Sequence, residues 1–202
     1  ADPIKALNGL MWRHYIVYWS SVFAISNTKS EEKNFVECGV CDGLTSFYAL
    51  SAANDTNTPF NAYLYDAWQA MDEERLHGSE KQQAGTYSYL NINSTIKNLS
   101  LFNSEFLNFN KGYIPDVFQT ANNPKSLIWL HIDLNSSTPT VYALNQFWDR
   151  LAVGGVILFD DYAWPEHEAT QRAVEKWQLD KQATLLHLPT GQGLLIKGEP
   201  RK

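Results

Sequence analysis

The stretch "NFVECGVCDGLTS", residues 34–46, holds both cysteines of the chain, Cys38 and Cys41, and its reading decides the fold. As a redox or zinc C-x-x-C it would need its first cysteine exposed at a helix N-terminus, where a thiolate is stabilised. Cys38 instead closes an apolar run, "FVEC", that reads as a strand, where burial is the default. Gly39 and Gly43 bracket the turn that follows, and a helical pattern begins near Leu44. Strand, glycine turn and helix in that order aim backbone N–H groups and a helix N-terminus at a ligand. The spacing is G-x-x-x-G and not the dinucleotide G-x-G-x-x-G, which leaves an NAD-dependent oxidoreductase as the weaker rival. Two cysteines also rule out a four-cysteine zinc site within the chain and a disulfide-stapled scaffold.

Outward from this turn, short apolar runs alternate with helical patterns. "NFVEC", "AYLYD", "EFLNFN", "SLIWLHID" and "GVILFDD" read as strands, with helices expected near 44–53, 85–100, 138–152 and 165–181. Such alternation predicts an α/β fold, a Rossmann-like, doubly wound and mostly parallel sheet. "TLLHL" and "GLLIK", separated by "PTGQ", predict a C-terminal antiparallel hairpin at its edge. One domain is expected over 1–202, with an N-terminal helical cap over 1–30 and the Rossmann-like core over 31–202. The charged stretch "MDEERLHGSEKQQAGT" (71–86) reads as a mobile surface loop able to close over a ligand. "KGYIPDVF" reads as a turn from the third strand into a short helix, with Asp116 structural.

Composition narrows the partners. The 202 residues are 44% hydrophobic, enough to bury one sizeable core, and the formal net charge of −6 offers no basic footprint for nucleic acid or an anionic membrane. "GLMWRHYIVYWSSVFAIS" (9–26) carries Arg13, His14 and three serines, so it is expected to be a buried, aromatic-rich helix and not a membrane span. No signal peptide is legible, and the opening "ADP" without methionine leaves open whether the start is native or trimmed. A cytoplasmic protein is expected. The N-x-[ST] sequons at Asn54, Asn93, Asn98 and Asn135 are read as chance in an Asn- and Ser-rich chain.

The strand ends carry the chemistry. A carboxylate at Glu37, beside the glycine turn, would repel a pyrophosphate but attract a ligand with a cationic amino acid group. Asp66 ends the second strand, where ribose hydroxyls are bound. Acid, glycine turn and second acid in this order point to S-adenosylmethionine, and the predicted cofactor set is Glu37, Cys38, Gly39, Gly43, Thr45, Ser46 and Asp66. Asp133 ends the fourth strand, and Asp160 and Asp161 end the fifth. Three carboxylates converging at one sheet edge need a cation or shared protons, and oxygen-only ligands favour Mg²⁺ or another divalent cation. His131, two residues before Asp133, reads equally as a support for the acids or a packed core histidine. Tyr162, Trp164 and His167 either shape an acceptor pocket or begin the next helix, which has Pro165 in its first turn. His187 carries no role.

"FVECGVCDGLTS", "KGYIPDVF", "LHIDLNSSTPTVYAL", "DRLAVGGVILFDDYAW" and "LPTGQGLLIK" together resemble class I S-adenosylmethionine-dependent methyltransferases, and specifically the macrocin O-methyltransferase family, over about residues 10–198. The resemblance implies Glu37, Gly39 and Gly43 as the cofactor turn and Asp66 as the ribose contact. It implies Asp133, Asp160 and Asp161 as Mg²⁺ ligands, with Asp133 also the catalytic general base. Implied too are a hydroxylated small-molecule or sugar-containing acceptor, as in natural product biosynthesis, and a homo-oligomer with the aromatic N-terminal helix as candidate interface. A cofactor-binding domain without turnover is the second rival.

Overall fold

"LIWLHI" has no polar alternation, so a strand made of it must be covered on both faces. In the computed structural model, which describes residues 3–199 and side chains from Leu10 onward, this run is β4 (Leu127–Ile132), buried at every position. β1 (Asn34–Cys38) is buried throughout as well. The outermost residues of the expected 1–202 unit, 1–2 and 200–202, lie outside the described residues.

The remaining strands are β2 (Asn61–Asp66), β3 (Leu107–Lys111), β5 (Leu151–Phe159), β6 (Leu185–His187) and β7 (Gly193–Ile196). The helices are α1 (Pro3–Asn27), α2 (Leu44–Asp55), α3 (Ile92–Asn98), α4 (Ser137–Phe147) and α5 (Glu168–Asp180). The sheet order is β3-β2-β1-β4-β5-β7-β6; the first five strands are parallel, while β7 runs antiparallel to β5 and to β6. The order reverses between β1 and β4, and the carboxyl ends of β1, β2, β4 and β5 share one edge, where ligands bind in such sheets. The expected α/β sheet with a terminal antiparallel pair is therefore what the chain builds.

One core cluster joins Val17 and Ala24 of α1 and Leu50 of α2 to Phe35 and Trp129 on one sheet face. The other joins Leu144 and Phe147 of α4 and Val174 and Trp177 of α5 to Val36 and Leu130 on the opposite face. Small residues bring α1 close: Ser20, Ser21 and Ala24 are fully buried, and the Ser20 hydroxyl accepts from Trp129 Nε1 at 2.9 Å. A Cβ on Gly154 would stand 2.3 Å from the Asn27 carbonyl oxygen, so the end of this helix also needs its glycine partner in β5.

Three expectations are corrected. The aromatics of α1 are not all buried: Trp12 and Tyr15 are 68% and 54% exposed, because the small serine and alanine face takes the sheet. The helix expected over 85–100 is only Ile92–Asn98, since Gly85 and Tyr87 adopt left-handed backbone that breaks it. The helix expected to reach 152 stops at Phe147 because "LAVGG" joins β5.

Candidate functional site

Gly39 has φ +88°, and a Cβ there would lie 1.8 Å from the Asp133 carbonyl oxygen, so the first turn residue must be glycine. Around it, Gly39 N–H donates to Tyr65 O and Asp133 N–H to Cys38 O, both at 2.8 Å, which stitches the end of β1 to both neighbours. Asp66 holds the turn open: Oδ2 accepts from the N–H groups of Val40 (2.7 Å) and Cys41 (2.9 Å), and Oδ1 from that of Trp68 (2.6 Å). Gly43, at φ +85°, leads into α2 against the side chains of Thr95 and Leu99.

Glu37 is 2% exposed and turned inward. Its Oε2 accepts a hydrogen bond from the Ser46 hydroxyl, and its Oε1 lies 3.0 Å from His131 Nδ1. Cys38 is fully buried, and burial, then the Glu37 and Asp66 charges, pushes its thiol well above the usual range. Burial raises the Cys41 thiol too, and both cysteines are free. Protonated thiols on this turn do not support redox or zinc chemistry.

A cavity of about 390 Å³ opens beside the turn. Gly39, Cys41 and Asp66 line one side, Tyr113 and Ile114 after β3 another, and Asp133 and Leu134 after β4 a third. Glu37, Cys38, Gly43, Thr45 and Ser46 do not line it. The stretch expected as a mobile surface loop makes two 3₁₀ turns, Glu73–Arg75 and Gly78–Gln83, and supplies Met71, Arg75 and Leu76 to the cavity wall, with Tyr87 just beyond it. Its anchor is Glu80, 6% exposed, which accepts from the Ser136 hydroxyl (2.8 Å) and from Ser137 N–H (2.7 Å) at the start of α4. Arg75 pairs with Asp116 at 2.8 Å and lies over the Tyr113 ring at 4.5 Å, giving Asp116 a structural part.

Next to Asp133, carboxylate oxygens of Asp133, Asp160 and Asp161 lie within 4.8 Å of one another. Asp133 Oδ1 is buried and has no hydrogen-bond partner among the described residues. Burial, then repulsion from Asp160 and Asp161, raises the Asp133 carboxyl well above the usual range. For Asp160, burial is outweighed by His131 and Arg13, which hold it low. Burial alone would depress His131, but Asp160 and Glu37 raise it to about 10. The imidazole stacks on Trp129 and its Nε2 lies 3.8 Å from Asp160 Oδ1, so His131 links Glu37 beside the glycine turn to the acids.

Several partners of these acids escape a reading of strand ends alone. Arg13 Nη2 donates to Asp160 O (2.9 Å), to Asp160 Oδ2 and to Asp161 Oδ1 (2.8 Å). Gln192, in the turn before β7, donates to Asp160 Oδ1 at 3.0 Å, and His167 Nε2 lies 3.7 Å from Asp161 Oδ2. A lone arginine in an apolar helix is the sequence signal that could have found Arg13; for Gln192 only its burial in the structure marks it. Tyr162 is buried and donates to Glu175 at 3.0 Å, and His187 packs edge-on against its ring; Trp164 stays 44% exposed.

The oxygen-only donor set and the orphaned Asp133 oxygen fit a hard divalent cation, although Arg13 already engages two of the three carboxylates. Among the described residues no helix is long and apolar enough to cross a membrane.

Comparison with known proteins places this geometry. The family described as "Methyltransferase domain" matches residues 36–162, from β1 to the acids after β5. No curated protein sequence matches the chain. Among solved structures, the O-methyltransferase NovP superposes with a TM-score of 0.79 at 16% identity, covering 93% of this chain and 80% of that one. CalS11, a calicheamicin methyltransferase, gives 0.66 at 17% identity, covering 93% and 78%. The SAH-bound methyltransferase PaMTH1 of Podospora anserina gives 0.56 at 13% identity, covering 90% and 78%. At these identities the structural matches establish the fold, and the family match establishes the rest: the chain belongs to the methyltransferase-domain family and is an S-adenosylmethionine-dependent methyltransferase.

Proposed function

We propose that the chain is an O-methyltransferase of the macrocin O-methyltransferase type. It would move the methyl of S-adenosylmethionine to a hydroxyl of a small-molecule or sugar-containing acceptor, assisted by Mg²⁺ or another divalent cation. NovP and CalS11 are an O-methyltransferase and a calicheamicin methyltransferase on the same fold, which supports this acceptor class. One observation carries the reading: Asp133 lines the cavity and also belongs to the acid cluster, with a buried, unpartnered oxygen.

In this reading the glycine turn, with Asp66 bracing its backbone, receives the cofactor, and Gly39 lets the chain approach it closely. Glu37 with Ser46, and the backbone of Cys38 and Gly43, hold the turn in shape, and Thr45 follows in the first turn of α2. Asp133, Asp160 and Asp161 would hold the cation, which when bound would polarise the acceptor oxygen and lower its pKa. Asp133, at the junction of cavity and acid cluster, accepts the hydroxyl proton. The acceptor oxygen forms its bond to the methyl carbon as the carbon–sulfur bond breaks, so positioning supplies most of the rate. The loop tied down by Glu80 excludes water from the cavity.

Calorimetric titration with S-adenosylhomocysteine, in EDTA and then in Mg²⁺, is the direct test, followed by a screen of hydroxylated glycosides for methyl transfer. Micromolar binding and a methylated hydroxyl product support the reading. Binding of NADH without binding of S-adenosylhomocysteine would sink it. An Asp160→Asn variant that kept full transfer and full cation affinity would remove the cation from the mechanism.

A further inference from the structure

Arg13 is 147 residues from Asp160 in the chain, yet one of its nitrogens contacts three oxygens of the Asp160–Asp161 pair. Three of the six carboxylate oxygens of Asp133, Asp160 and Asp161 accept a hydrogen bond. Asp160 Oδ2 and Asp161 Oδ1 accept from Arg13, and Asp160 Oδ1 accepts from Gln192. Of the oxygens in the cluster, Asp133 Oδ1 is the buried one left without a partner among the described residues. A divalent cation that takes Asp160 Oδ2 or Asp161 Oδ1 as a ligand meets the guanidinium there.

We propose that Arg13 is the resident counter-ion of this acid cluster, and that its guanidinium and a divalent cation compete for Asp160 and Asp161. The inference rests on the cation site proposed above and adds what guards it. The arginine and its two partners are 14%, 18% and 24% exposed in their side chains, so solvent screens the pair only weakly, and withdrawing Arg13 leaves clustered negative charge that another cation must neutralise. The helix is built for a local change. Val17, Ser20, Ser21 and Ala24 fasten its C-terminal half to the sheet and His14 stacks on Tyr48 at 4.7 Å, while Leu10, Met11, Trp12 and Tyr15 remain exposed. Among the described residues, Arg13 itself meets only the acids and the half-exposed Trp164 ring at 5.7 Å. The guanidinium can therefore leave the acids while the rest of α1 stays packed. Arg13 is in this view a positioning residue: it holds Asp160 and Asp161 in place until the cation takes over. A lysine at this position supplies the charge but not the planar fork, so it competes less well.

Mn²⁺ titration of the full chain without cofactor, read by the electron paramagnetic resonance of free Mn²⁺, tests this directly. Arg13→Gln is expected to bind Mn²⁺ at least ~10-fold tighter than the unchanged chain, and Arg13→Lys to fall between them. Adding Asp133→Asn to Arg13→Gln is expected to cancel the gain. A merely structural arginine would lower the melting temperature without improving cation affinity. Measurable but equal affinity in the unchanged chain and a folded Arg13→Gln overturns the competition and leaves the cation site standing, as does weaker binding in the variant. No Mn²⁺ binding in either overturns both. Should Arg13→Gln fail to fold, Arg13→Lys decides: tighter binding supports the competition and unchanged binding overturns it.

Discussion

At the residue scale, the informative positions are those where one side chain serves two neighbours. Glu37 was expected at the cofactor, and the structure shows its carboxylate accepting from Ser46 and paired with His131. Removing it leaves a buried hydroxyl and a buried imidazole without their acceptor, so Glu37→Ala is expected to lower the unfolding free energy by about 3 kcal/mol in urea denaturation. Cys41 differs: its thiol stays protonated by burial, lines the cavity and bonds to no other sulfur. Cys41→Ser is expected to keep S-adenosylhomocysteine affinity within about tenfold, ~1.4 kcal/mol, by calorimetry. Loss of all binding in that variant, with the fold intact, would restore a chemical role for the cysteine pair. Glu37, Gly39 and Asp66 stood out in the sequence because strand-end acids and turn glycines have a local signature. The Glu37–His131–Asp160 chain did not, because it depends on which strands lie side by side.

At the element scale, the segment between β2 and α3 is the least regular part of the chain and forms one wall of the cavity. Its polar composition suggested a free loop; Leu76 and Glu80 are buried because the segment folds back onto α4. Glu80 satisfies the Ser137 N–H at the N-terminus of α4, where a carboxylate is also favoured by the helix dipole. Glu80→Ala is expected to cost about 1–2 kcal/mol of local stability, seen as faster proteolytic nicking within 71–86 and about tenfold weaker S-adenosylhomocysteine binding. Unchanged nicking and affinity would mean the wall is held by Leu76 and Arg75 alone. The α1 helix shows the same limit of sequence reading. Its apolarity was legible, but its choice of a serine and alanine face for the sheet follows from how closely the backbone must approach Trp129 and Gly154.

At the scale of the whole molecule, a ligand that binds only the folded chain stabilises it by mass action. At a hundredfold excess over its dissociation constant, S-adenosylhomocysteine is expected to add about 2.7 kcal/mol and to raise the melting temperature by about 5–10 °C in a calorimetric scan. No shift from folded protein would mean that the cavity beside Gly39 does not take this ligand. The sequence by itself determined the order of strands and helices, the doubly wound sheet, the glycine turn and the acids at the strand ends. Those features are written in local hydrophobic period, in turn chemistry and in the residue that closes each strand. Only the tertiary structure decided which groups meet: Arg13 on Asp160 and Asp161, Gln192 on Asp160, His131 on Glu37, and Glu80 at the start of α4. Each of these pairs joins distant parts of the chain, and a side chain's partner across the sheet edge is set by strand order and helix packing, which no local pattern of residues encodes.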